Sequence, residues 1–339
     1  MKKILAGIDR TKNFIGKTVK EQNPNIILDF LKNKGKTIGV KDSKEIDNKL
    51  IKKLLRNGYI WNTIDFSADR GRAIDIRLLN PITSKVMTGS SSGTAINVLY
   101  GLNTVGIVTD GGGSVLGPAI SLNLYSALLS GMGLKGKNKK KSTDEITFTA
   151  GIGFITQNFM ELEKVLKIFY EESEKILKKI VLSDTFDRNI GDKLKNNYEI
   201  TIWKDKSLFF REELIAELNN IFQMGDVFIY IEKNIEIEGI GDSVLGSLGD
   251  SGKLFQENSN KKFLKVFNML NCTVITIPLK NIGSSIVIAT PRGKNGLKYV
   301  LEVGKILDCE YRSKLFQEYF LNYPLKKIDN RTFEILEEM

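Results

Sequence analysis

Two short clusters of glycine and serine carry the residues best suited to chemistry, 88–94 (TGSSSGT) and 109–114 (TDGGGS). Glycine lets a backbone approach a ligand closely, and a serine hydroxyl can become a nucleophile. A phosphate-binding loop needs Lys and then Ser or Thr directly after its last Gly, and neither cluster has them. A dinucleotide fingerprint needs Gly-x-Gly-x-x-Gly opening a helix, which 109–118 (TDGGGSVLGP) does not keep. A nucleophile elbow needs Gly two places after the serine, where Leu116 follows Ser114. The chain has no His at all, which excludes Ser-His-Asp and Cys-His catalysis and His-ligated metal sites. A hydrolase built on these serines therefore needs another base, and a lysine made neutral by burial is a suitable one.

Either cluster alone is an ordinary turn. Their arrangement is more specific: Gly89-Ser90-Ser91-Ser92-Gly93 precedes Asp110-Gly111-Gly112-Gly113-Ser114, with Ser90 and Ser114 24 residues apart. Upstream stands Ile38-Gly39-Val40-Lys41-Asp42. These three segments resemble the amidase signature family, which has a GGSSGG-type cluster, a D-x-GGS cluster in the same register and a Lys in a V-K-D motif. Weaker similarities follow at 131–135 (GMGLK), 153–157 (GFITQ) and 271–278 (NCTVITIP), so the resemblance spans roughly 36–309.

The resemblance implies an α/β fold, a mixed β-sheet core flanked by α-helices. It implies hydrolysis of a carboxamide C–N bond through an acyl-enzyme on Ser114, with Lys41 as base and Ser90 as proton relay. It further implies a cis peptide before Ser90 and an oxyanion hole from the N–H groups of Gly111, Gly112 and Gly113. Gly89, Ser91, Thr109 and Asp110 are expected to support the site, Asp110 by ordering the glycine loop. No metal and no organic cofactor are expected.

Three features depart from the family. The Lys41–Ser90 stretch is short, Leu116 stands where the family usually has Arg, and most of its N-terminal helices are missing. Two alternatives follow: a catalytically degenerate protein acting in binding or assembly, and the amidase subunit of a glutamine-dependent amidotransferase.

Elements must hold these groups in place. Strands are expected at 37–40, 59–64, 104–108, 200–203, 226–231, 272–279 and 284–291, from β-branched and aromatic runs. Helices are expected around Leu50–Leu55, at 26–31, 95–101, 263–270 and 297–307, and as one long amphipathic helix over 159–180. Residues 120–129 fit either a helix or a buried strand. Residues 67–85 read as a loop with a helical turn, and 239–252 as a Gly/Ser-rich loop. The lysine-rich 135–145 reads as a solvated connection, with an anion-contacting lid as the alternative. The expected organisation is an N-terminal helical extension (1–35), an amidase-like domain (36–309) and a C-terminal helical tail (310–339), which could serve a subunit contact.

Composition sets the outer bounds. In 339 residues, 42% are hydrophobic and 27% charged, ordinary values for a globular protein with ample core. The net charge of +10 comes mostly from lysines spread along the chain, so nucleic-acid binding is not expected. Cys272 and Cys309 give neither a disulfide framework nor metal spacing. The apolar run after Lys2 and Lys3 is too short for a signal peptide, and no stretch is long enough to span a membrane. A cytoplasmic protein acting on a small-molecule amide is the expectation, with a homo-oligomer or a partner subunit possible.

Overall fold

Strand residues of this chain alternate between two separate cores. Ile107, Phe154, Ile275 and Ile288 enter one apolar cluster, while their neighbours Val108, Ile155, Val274 and Val287 enter another. Successive side chains on a strand point to opposite faces, so a sheet with two buried faces lies between these cores. The computed structural model describes residues 2–142, 144–171, 175–186, 188–308 and 312–322.

The strands are β1 (Val19–Gln22), β2 (Lys36–Lys41), β3 (Tyr59–Asp65), β4 (Ile74–Leu79), β5 (Val86–Thr88), β6 (Val105–Asp110) and β7 (Tyr125–Leu129). They continue as β8 (Lys135–Lys141), β9 (Thr147–Thr156), β10 (Lys179–Ser183), β11 (Glu199–Trp203), β12 (Val227–Glu232), β13 (Thr273–Pro278) and β14 (Ser285–Thr290). The main sheet runs β1-β3-β2-β6-β9-β7-β13-β14-β12-β10-β11, with β8 paired to β9, while β4 and β5 form a separate ribbon. Parallel pairs flank an antiparallel middle: β3-β2-β6 on one side and β12-β10-β11 on the other. Helices Phe159–Lys167 and Gly296–Leu307 cover one face, and Ser92–Leu99, Leu116–Ser121 and Arg211–Met224 cover the other. This is the mixed α/β sandwich of sheet and helices expected from the sequence.

Several local expectations need correction. The helix from Phe159 ends at Lys167, and Ile180, Val181 and Leu182 lie in β10. All three are buried because both faces of that strand are covered, and a run of that kind carries no helical period of its own. The lysine-rich 135–141 is a strand, β8, laid on the part of β9 that extends beyond its other partners. Lysines suit an exposed edge strand, which explains the missing apolar alternation. Within 239–252, Asp242 caps a helix by accepting from the Val244 N–H, and a second helix covers Gly249–Glu257. Within 67–85 the expected helical turn is present as a 3-10 turn, Asp69–Gly71, but the rest is not all loop, because β4 pairs with β5 just beyond it. Within 263–270 only a 3-10 turn, Phe263–Lys265, forms.

The first 35 residues are not helical throughout, because β1 pairs antiparallel with β3 in the main sheet. In the tail, residues 314–322 are helical, while 323–339 and Cys309 lie outside the described residues. No described helix is long and apolar enough to cross a membrane.

Gly106 in β6 lets the helix Ser92–Leu99 lie close to the sheet. A Cβ there would come within 2.6 Å of Thr94 Cγ2 and 3.1 Å of Val98 Cγ2. Both neighbours are β-branched and stiff in a helix. Gly106→Ala is therefore expected to cost about 1–3 kcal/mol through overpacking. Urea denaturation would read this as a lowered midpoint with an unchanged slope; an unshifted midpoint would mean that the helix gives way freely.

Candidate active site

Lys41 ends β2 and Asp110 ends β6, and these two strands are adjacent and parallel. Their carboxyl ends therefore open on the same side, where sheets of this kind place ligands. Ser90 lies between β5 and the helix Ser92–Leu99, and the Gly89–Ser90 peptide is cis, as the resemblance implied. A cavity of about 490 Å³ brings Lys41, Ser90, Ser114, Thr109, Asp110, Gly111 and Gly112 to one wall. Residues distant in sequence thus converge as expected.

Lys41 is almost wholly buried, at 4% exposure. Its Nζ lies 2.7 Å from Ser90 Oγ and 3.2 Å from Ser91 Oγ, and donates to the Thr109 carbonyl at 3.4 Å. Loss of water disfavours the ammonium and brings the pKa down to about 7, with Lys140 adding to the fall and Asp110 opposing it. Burial dominates because Asp110 is itself compromised: its own burial pushes its carboxyl up to about 6. Asp110 ties down the glycine loop, accepting from the Gly113 N–H at 2.8 Å and the Val115 N–H at 2.7 Å. The structure thus corrects one expectation, since the Gly113 N–H is already engaged. Gly111 and Gly112 have no such acceptor for their N–H groups among the described residues. Gly113 has φ of +101°, a conformation that favours glycine in this turn.

Ser91 and Thr109 were expected only to support backbone geometry; both also contact the lysine, Ser91 through its hydroxyl and Thr109 through its carbonyl. Leu116, two residues after Ser114, is fully buried in the hydrophobic core. No cluster of His, Cys, Asp or Glu suited to a metal ion occurs among the described residues.

Other contributors had no signal in the sequence. Asp65, paired with Lys41 across β3 and β2, accepts from Thr63 Oγ1 and Asn97 Nδ2, both at 2.7 Å. Burial pushes its carboxyl up to about 7 against those hydrogen bonds. Thr18, beside β1, donates to Asn97 Oδ1, so the N-terminal segment braces the helix behind the serine cluster. Arg72 makes a two-point contact with Asp242, at 3.2 and 3.1 Å, tying the segment before β4 to the helical 242–257 region. Arg211 lines the cavity from the start of its helix. Nothing in its local sequence marks it out.

No protein-family model and no curated protein sequence matches the chain. Solved structures do. An amidase superposes with TM-score 0.63 at 14% identity, over 91% of this chain and 95% of that one. A 6-aminohexanoate cyclic dimer hydrolase complexed with substrate gives 0.60 at 12%, over 92% and 95%. A glutamyl-tRNA(Gln) amidotransferase subunit from Thermotoga maritima gives 0.57 at 14%, over 90% and 89%. The chain has the amidase-signature fold. At these identities the likeness concerns the fold alone.

A lysine with an ordinary pKa of 10.5 when unfolded and about 7 when folded gives up its proton on folding between those values. Its contribution to stability therefore rises with pH across that window. Lys41→Met, apolar and of similar length, is expected to stabilise the protein most near pH 7 and progressively less towards pH 10. Urea denaturation across that range measures the difference; a pH-independent gap would mean that the amine is well solvated.

Proposed function

We propose that the chain hydrolyses a carboxamide C–N bond, with Ser114 as nucleophile, Ser90 as proton relay and Lys41 as base. The observation that carries this is the contact of Lys41 Nζ with Ser90 Oγ at 2.7 Å, in a dry setting that favours the neutral amine. A lysine exposed to water would be protonated and could not accept a proton at neutral pH. The cavity shared by Ser90 and Ser114 supports the relay, and the fold likeness to solved amidases agrees with it.

The steps balance as an acyl transfer. Neutral Lys41 takes the Ser90 proton as Ser90 takes that of Ser114. The Ser114 oxygen attacks the amide carbon, and the N–H groups of Gly111 and Gly112 receive the resulting oxyanion. Collapse breaks the C–N bond, and the leaving nitrogen takes a proton from Ser90, which is refilled from the Lys41 ammonium. Water then attacks the acyl-enzyme, passing a proton through Ser90 to Lys41; collapse breaks the bond from the acyl carbon to the Ser114 oxygen, which takes that proton back through Ser90, and the acid leaves with Lys41 neutral again. Ser91 and the Thr109 carbonyl hold the amine in place throughout.

A fluorophosphonate is expected to label the wild-type protein and to leave Ser114→Ala unlabelled, as read by mass spectrometry. Absence of wild-type labelling would favour a protein that binds without catalysing. For an amide that is turned over, kcat/KM should rise with pH through about 7 and then level off, because the neutral amine is the active form. Lys41→Ala should lower it by about 10²- to 10⁴-fold, the usual contribution of a positioned base.

A further inference from the structure

We infer that the substrate carries a carboxylate close to its scissile amide and that Arg211 is the residue that recognises it; this rests on the amide-hydrolase reading above. The cavity is lined by Arg70, Lys140, Lys141 and Arg211 beside the Lys41 amine, and by two carboxylates, Asp42 and Asp110. Most of these charges are already paired: Asp42 with Lys20, Lys140 with Glu45 and Lys141 with Glu145, while Asp110 accepts from the Gly113 and Val115 N–H groups.

Arg211 is the cation with hydrogen-bonding capacity left over. Its Nη1 donates to Asp144 at 2.5 Å, which fixes one end of the guanidinium. Its Nε–H is buried and has no acceptor among the described residues. Its Nη2 lies 3.7 Å from where a Cβ on Gly112 would stand. The guanidinium thus keeps its Nε/Nη2 edge unfilled beside the backbone that would receive the oxyanion. That edge has the fork geometry that pairs two-point with a planar carboxylate. An anion held there would sit within a few bonds of a carbonyl at Ser114. Apolar lining is sparse, limited to Ala73, Phe148, Ala150 and Met269, so little of the wall suits a long hydrocarbon chain.

The test compares succinamate and glutaramate with their neutral isosteres 4-methylpentanamide and 5-methylhexanamide. Ammonia release by the wild type is expected to favour at least one anionic amide over its isostere by tenfold or more in kcat/KM. Arg211→Met should shrink that ratio by about 10- to 100-fold, the weight of a hydrogen bond to a charged group, and Arg211→Lys by less. Calorimetry on Ser114→Ala provides a readout independent of turnover: the anionic amide should bind, and binding should be lost when Arg211→Met is added. Binding of this kind without wild-type turnover would leave the carboxylate site standing and remove the hydrolase. Equal or better hydrolysis of the neutral isosteres, or a ratio unmoved by Arg211→Met, would remove the carboxylate site and leave the hydrolase. Failure of every anionic amide both to bind and to react would overturn the carboxylate inference, while fluorophosphonate labelling decides the hydrolase separately.

Discussion

A buried ammonium without a close carboxylate partner costs several kcal/mol, and a lysine can escape that cost by giving up its proton. Lys41 is held where this escape is favoured. The contacts around its amine are hydroxyls and a carbonyl, and the nearby acid, Asp110, has both oxygens occupied by backbone N–H groups. Most of the surrounding architecture can be understood as keeping that amine dry while leaving one side open to the cavity. The parallel pairing of β2 and β6 sets Lys41 beside Thr109 and Asp110. The close packing at Gly106 brings the helix after the serine cluster down onto the same strands.

Such an arrangement needs support from behind. It comes from a buried polar network in which Asp65 Oδ1, Thr63, Asn97 and Thr18 are hydrogen-bonded across β3, the helix Ser92–Leu99 and the N-terminal segment, while Asp65 Oδ2 has no partner among the described residues. Buried polar groups that are paired in this way specify one packing, whereas a missing partner would leave an uncompensated acceptor. The N-terminal residues accordingly belong to the sheet through β1 and are more than a peripheral extension.

Fold and function are separate matters, since one fold can host different chemistries. In this chain the ends of β2 and β6 and the turns carrying Ser90 and Ser114 border one cavity. What reaches them is governed by groups outside that set. Here the lining includes Lys140 and Lys141 from β8 and Arg211 from the start of its helix, elements that follow the serine clusters in the chain.

The sequence by itself determined the class of the fold and the identity of the converging groups. The absence of His, the register of the two serine clusters and the Val-Lys-Asp segment pointed to Lys41, Ser90 and Ser114, and β-branched runs marked most of the central strands. Those signals are local or depend on fixed spacing. Tertiary structure decided the rest. Whether Ile180–Leu182 formed helix or strand depended on both faces being covered, and whether 135–141 formed a loop or a strand depended on the free length of β9. The loss of Gly113 from the set of free donors depended on where Asp110 turns its oxygens. Asp65, Asn97 and Arg211 owe their roles to neighbours far away in the chain, and burial shifts the titration of Lys41 only once the sheet and its helices have removed the surrounding water.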